Sequence, residues 1–281
     1  MKTKIFLSSF LFLLGITLSA QNNAGTDALT GPCLGQKPPG EKPVIFAPGF
    51  VSTTGFNEFC ASFSSDGKEF YFNRGMTIMV SRLGKEGWTT PEPASFNGNY
   101  RNHEAHLTSD NKRLFFGGSR PPQPYGIWLT ERTESGWSEP QRMADGMYVT
   151  SSENGNIYYG VESSSGTFIV QTRLTDGRFS EPVVQNIRFA DPDIRQTFVF
   201  HPGIAPDESY IVFDNNNGLF MCFRQDDGSW GAAVSINELL NVTNATIPSI
   251  SPDGKYLFFA ANNDLYWVST GIFLKLRKKI Q

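Results

Sequence analysis

Cysteine is scarce in this chain. Cys33, Cys60 and Cys222 are the three thiols among 281 residues, and an odd number leaves at least one unpaired. Cys60 and Cys222 read as small buried residues. Cys33, in "LTGPCLGQ", lacks the apolar residues that precede a lipidated cysteine. Histidine is equally thin, with His103, His106 and His201 only. Basic charge is not in excess: 24 Lys and Arg face 27 Asp and Glu, for a net charge of −3 and a pI of about 5.7. No basic field points to nucleic acid. Gly-x-Ser-x-Gly, a phosphate loop and Cys-x-x-Cys are all missing, which removes the commonest nucleophile, nucleotide and redox signatures.

Long apolar runs are also missing, with one exception. Met1 to Lys4 is short and positive, Ile5 to Leu18 is apolar, and Ser19-Ala20 closes the run with small side chains. A span needs about 20 apolar residues, so this pattern predicts a secretory signal cleaved after Ala20 rather than an anchor. The mature chain is then expected to be soluble, and periplasmic or extracellular. Residues 21–41 follow as a polar Gly/Pro linker, expected to be poorly ordered.

What the chain does hold is aromatic and repetitive. It is 39 % hydrophobic and 14 % aromatic, with 24 Phe, enough for a full core. Its 27 Gly and 17 Pro are spread along the length, as many turns between short strands require. Five turn signals recur: "SFSSDGKEFYF", "HLTSDNKRLFF", "VTSSENGNIYY", "GIAPDESYIVF" and "SISPDGKYLFF". Their acids, Asp66, Asp110, Glu153, Asp207 and Asp253, stand 44, 43, 54 and 46 residues apart. A period in the forties with strand content is the signature of propeller blades. An Asp side chain bonds nearby backbone and Gly tolerates positive φ, so each signal makes a tight turn. The run that follows, such as Tyr256-Leu257-Phe258-Phe259, is apolar at every position, so both faces of that strand must be covered. A polar tip, a second apolar run and an aromatic–proline segment complete each unit. Proline suits an outer edge strand because it cannot donate to a ladder.

The fifth repeat lacks its outer segment. "KPVIFAPGF", Lys42 to Phe50, stands before repeat one as "TPEPASFNG" stands before repeat two. The expectation is an all-β fold, a single five-bladed β-propeller over residues 42–270, closed by this N-terminal outer strand. Six blades are the alternative. Residues 271–281 form a short basic helix or tail.

"SPDGKYLFFAANNDLYWVS", "SSDGKEFYF" and "GSRPPQPYGIWLTERTESGWSEP" resemble the exported bacterial proteins with WD40-like (PD40, TolB-type) propeller repeats, from about Lys42 to Trp267. The resemblance implies fold. It leaves function open, because the matching residues serve turns and core, and the family spans binding proteins, periplasmic helpers and propeller halves of enzymes.

In a propeller the connectors leading into each inner strand share one face with the tips between second and third strands. All three histidines lie in or near these connectors, in "RNHEAHL" and "FVFHPGIAPD". Counted six residues back from the turn acid, Cys60, Glu104 and His201 share one register. Equivalent positions converge on the channel, so Glu104, His201 and His106, joined by Glu58, are candidates for one site. One reading is a metal site of Glu104, His106 and His201 binding a divalent ion, as in pectin-fragment lyases that use a histidine cluster on related propellers. Strand alternation puts His103 and His106 on opposite faces and Glu104 and His106 on one. The other reading bonds His106 and His201 to neighbouring backbone, with no cofactor. The turn acids are structural; sialidase Asp-boxes are excluded because "SSDGKEF" lacks their Trp, and "DNNNG" and "DPDIR" match no full calcium loop, a solvated turn being expected. Arg120 and Tyr125, in "GGSRPPQPYG", offer a cation and an aromatic on a stiff tip. Arg101, His103 and these residues complete a binding face. Two functions are consistent with this set. The first is a non-catalytic binding or scaffold module for a protein, peptide or glycan at the cell envelope. The second is a metal-dependent glycan lyase or hydrolase of oligogalacturonate type.

Overall fold

The computed structural model describes residues 29–194, 198–215 and 217–280. The expected signal segment, its expected cleavage site at Ala20 and residues 21–28 lie outside the described residues. Among those described, no helix is long and apolar enough to cross a membrane.

Five antiparallel sheets form five blades. The inner strands are Glu58–Phe63, Asn102–Leu107, Met147–Ser151, Phe200–Ile204 and Thr246–Ile250. Each pairs with a second strand and that with a third, in chain order. Val44–Ile45 is the outer strand of the last blade, with Val44 opposite Trp267 and Ile45 opposite Tyr266. The ring is thus closed by the N-terminal segment, and the sheet that began without a fourth strand has one.

The turns show why the repeat has its spelling. Ser64 Oγ donates to Asp66 Oδ1 at 2.6 Å, and the Lys68 amide donates to the same oxygen at 3.1 Å. Thr108 with Asp110 and Ser251 with Asp253 repeat the pattern. The Ser64 hydroxyl bond holds the Asp66 carboxyl below its ordinary range. The uniformly apolar second strands divide their side chains between blades, as alternation requires. Phe258 packs towards blade 1 with Phe46, Phe63 and Phe70, whereas Leu257 and Phe259 pack towards blade 4 with Val212 and Met221.

Polar clamps add to this packing. Arg132 lies over the Trp137 ring at 4.1 Å and reaches back to Glu69 in the preceding blade at 3.1 Å. Arg224 repeats the device over Trp230 at 3.9 Å, meeting Tyr158 Oη at 3.0 Å and Glu208 at 2.9 Å.

Three segments depart from the plain repeat. The lengthened connector into blade 4 is a cover: Ile187, Phe189 and Val199 are buried against Phe213 and Phe220. Residues 29–41, expected to be loose, instead form a strap over the seam between blades 5 and 1. Leu34 is buried in the core there, Trp88 Nε1 donates to the Gly31 carbonyl at 2.8 Å, and Gln36 bridges Ile45 and Ala47. Two leucines and one well-placed amide outweigh the Gly/Pro composition. At the other end, Ile272–Ile280 is a helix whose Phe273 ring packs 5.2 Å from Tyr210.

Candidate functional site

Every inner strand is broken at the same place. Cys60, Glu104, Tyr148, His201 and Ile247 have φ of 57°, 62°, 60°, 43° and 52°. Left-handed backbone is unfavourable for any residue with a side chain, most of all a β-branched one such as Ile247. The strand registers slip at each of these points, between Phe59 and Ser62, His103 and His106, Met147 and Thr150, Phe200 and Gly203, and Thr246 and Ser249. These are five β-bulges, one per blade, and bulges re-aim side chains. Here they turn one residue from each blade towards the axis. All five line one small cavity of about 30 Å³.

Opposite each bulge stands a residue of the second strand: Asn73, Gly117, Gly160, Asp214 and Ala260. Two of them tie adjacent blades. Asn73 Oδ1 accepts the Glu104 amide at 2.7 Å, and Asp214 Oδ2 accepts the Ile247 amide at 2.7 Å. The bulge strain is therefore held by hydrogen bonds from the neighbouring blade.

Around this ring the polar groups form a chain. Asp214 Oδ1 lies 2.7 Å from His201 Nδ1, and His201 Nε2 lies 4.0 Å from Glu104 Oε1. Glu104 Oε1 also meets His103 Nδ1 at 3.0 Å. The His103 ring stacks on Tyr125 with centroids 5.4 Å apart and planes 20° apart. Tyr148 lies against the His201 ring. Burial, and next the Glu104 charge, raise the phenols of Tyr125 and Tyr148 well above their ordinary value. Glu104 is buried, and its Oε2 has no hydrogen-bond partner.

His103 and Glu104 are adjacent in sequence yet touch, which strict alternation forbids. The bulge is the reason, since it replaces one alternating step by a left-handed turn. His106, two residues further down the channel, belongs to another contact. Its Nε2 accepts the Ser151 amide of blade 3 at 2.9 Å. That ring is therefore neutral with its proton on Nδ1, and burial lowers its pKa to about 4. Glu58 is fully buried and engaged by Thr53 at 2.6 Å and Arg74 at 3.1 Å.

The tip residues divide as well. Arg120 is no free cation: it donates to the Phe96 carbonyl at 2.7 Å and lies over Tyr100 at 4.6 Å. Arg101 is exposed in the connector leading into the inner strand of blade 2. Tyr125 keeps an open ring face while its hydroxyl fills the space left by Gly117, where an added Cβ would lie 2.4 Å from Oη. Among the described residues no three His, Cys, Asp or Glu side chains are gathered as a metal ion needs. Glu104 and His201 approach one another, but His106 faces Ser151, so these three do not form a fitting ligand set.

Two site residues escape a count from the turn acid. Tyr148 is displaced because the blade 3 turn is one residue shorter: Ser152 closes on Asn156, where Ser64 closes on Glu69. Counted instead from Ser64, Thr108, Ser152, Ala205 and Ser251, all five bulge residues fall four residues back. Asp214, in "DNNNG", is a buried site residue, not part of a solvated turn.

Fold and site together define a five-bladed β-propeller with an acid–histidine cluster at one mouth of its channel. No protein-family model matches the sequence, and no curated protein matches it. Solved structures do match. A TolB-type protein from Agrobacterium tumefaciens aligns with TM-score 0.52 at 17 % identity, over 76 % of this chain and 73 % of that one. The GH43_1 enzyme from Xanthomonas citri, complexed with xylose, aligns with TM-score 0.53 at 11 % identity, over 77 % and 88 %. At such identities the likeness is one of fold, and proteins this different on one fold leave function to the site.

Proposed function

We propose that this chain is an exported, non-catalytic binding propeller whose ligand engages the channel mouth at Glu104. The observation that carries this reading is how the carboxylates are used. Asp66, Asp110, Asp207 and Asp253 are consumed in their turns, and Glu153 is exposed. Glu58 is held through Oε1 by Thr53 and Arg74, and its unpartnered Oε2 lies outside the cavity lining. Asp214 has both oxygens occupied, one by His201 and one by the Ile247 amide. Of the carboxylates among the described residues, only that of Glu104 presents a buried oxygen without a partner at the cavity. A buried acceptor left unmade costs free energy that a donor on a ligand recovers. One open carboxylate at the cavity suits binding, whereas hydrolysis of a glycosidic bond ordinarily needs two there.

A second reading rests on the Asp214–His201 pair. An imidazole oriented through Nδ1 by a carboxylate is the arrangement of a general base, and it favours a glycan lyase or hydrolase. Its metal-dependent form finds only Glu104 and His201 in place.

The test is purified residues 21–281 and the Glu104→Gln variant, applied to printed peptide and glycan arrays. Ligand capture by the parent and its loss in a variant of unchanged melting temperature are expected. Turnover of any captured glycan, or stoichiometric metal by elemental mass spectrometry, overturns the non-catalytic reading in favour of the second.

A further inference from the structure

The ligand's chemistry is legible from the rest of the same face, and its assignment rests on the proposal that Glu104 binds a ligand. Among the described residues, the exposed aromatic side chains are Phe56, Tyr100, Tyr125 and Phe198, at 55 %, 41 %, 36 % and 43 % exposure. All four lie in connectors or tips of the face that carries the Glu104 mouth. The three nearest blades 1 and 2 are backed from within. Arg74 lies under Phe56 at 5.5 Å, Arg120 under Tyr100 at 4.6 Å, and His103 under Tyr125 at 5.4 Å. Each ring is thus fixed on one side and open on the other. Such flat platforms cost little conformational entropy to use.

The surface between the rings is not apolar. Its exposed residues include Thr54 and Gly55, Gly98 and Asn99, and Ser163 to Ser165. A stable protein interface has an apolar centre and a polar rim; this face has spaced rings in a field of amides and hydroxyls. The central unpartnered group is an anionic acceptor, Glu104 Oε2, with Asp214 on the far side of His201 from it. A ligand that fits has flat C–H faces to lie on aromatic rings, many hydroxyl donors, and no negative charge of its own. We infer that the ligand is a neutral saccharide, with one sugar ring on Tyr125 and a hydroxyl donating to Glu104.

Acidic sugars are disfavoured, because their carboxylates would enter the field of Glu104 and Asp214. A peptide is the competing occupant. Its backbone would also supply donors, but it would leave the open rings of Tyr100 and Phe56 without apolar partners arranged between them.

The experiment is calorimetric titration of residues 21–281 with a panel of neutral oligosaccharides (glucose-, xylose-, mannose- and galactose-based), with galacturonic oligosaccharides and with a random peptide pool. Binding of at least one neutral oligosaccharide, and at least tenfold weaker binding of the galacturonic series, is expected. Tyr125→Ala and Glu104→Gln each weaken it about tenfold or more, while Tyr125→Phe retains it. Stronger binding to the galacturonic series, or neutral binding indifferent to both Tyr125→Ala and Glu104→Gln, overturns the inference. Peptide binding lost in Glu104→Gln, with no saccharide bound, also overturns it yet leaves the binding reading standing. No Glu104-dependent ligand in either class overturns both.

Discussion

Phe46 is where the ring is fastened, and truncating it is a direct trial of that statement. The residue directly follows the closing strand Val44–Ile45 and is completely buried. Its amide donates to the Leu265 carbonyl at 2.7 Å, on the last blade. Its ring meets Phe258 and Trp267 of blade 5 at 5.2 and 5.1 Å, and Phe63 and Phe70 of blade 1 at 6.1 and 5.3 Å. One side chain thus joins the first and last blades by four edge-on aromatic contacts. A Phe→Ala change at a fully buried site costs about 3–5 kcal/mol. Edge-to-face pairs hold roughly 0.5–1.5 kcal/mol beyond their area, so the upper half of that range is expected. Set against a total stability of about 5–15 kcal/mol, Phe46→Ala removes a large fraction. The assay is urea unfolding followed by tryptophan fluorescence, read as a lower midpoint at similar slope. Phe56→Ala, at 55 % exposure, is the control and shifts stability by less than about 0.5 kcal/mol. A Phe46→Ala loss below about 1 kcal/mol, or one equal to the control, refutes the idea that the N-terminal segment locks the ring.

Other outcomes are expected from the same contacts. Gly117→Ala sets a methyl 2.4 Å from Tyr125 Oη; Tyr125 is pushed from its seat, and saccharide binding falls more than melting temperature does. His106 keeps a folded pKa of about 4 because burial disfavours its charge. Between about pH 6.5 and 4 the unfolded chain binds the proton that the fold refuses, so stability is full above pH 6.5 and declines as pH falls, by up to about 3 kcal/mol. His106→Gln, which removes the titrating group, flattens that slope in urea titrations at about pH 7 and about pH 4.5. Burial alone would raise Glu208, but hydrogen bonds from Ser152, Asn156 and Tyr158, with the Arg224 charge, hold it low. Its contribution is present above the ordinary Glu range and lost as pH drops below it. Glu208→Ala removes the acceptor shared by Ser152, Asn156, Tyr158 and Arg224 and costs about 2–3 kcal/mol in chemical denaturation. Of the three cysteines, Cys60 and Cys222 are buried and Cys33 is partly exposed; a thiol reagent applied to folded protein modifies Cys33 first, and equal rates at all three would contradict the burial.

Much of the fold was readable before any coordinates. Turn chemistry and strand alternation are local, so five repeats of a turn and an apolar run identify five blades, and the missing outer segment of the fifth points to Lys42–Phe50 for closure, within which Val44–Ile45 pairs. Register alone also aligned Cys60, Glu104 and His201. Three things depended on contacts between blades. The bulges, stabilised by Asn73 and Asp214 from adjacent blades, bring His103 and Glu104 to one side of a strand and admit Tyr148 to the ring. The groups that engage Arg120 and the core that buries Leu34 belong to segments distant in sequence, so composition reads the first as a free cation and the second as linker. The proton on His106 is placed by an amide 45 residues away. Local spelling therefore determined the elements and their order, because turns and alternation need only near neighbours. Which side chains meet at the mouth, and which carboxylate oxygen is left open there, was decided by closure of the ring, because closure alone sets five separate strands around one axis.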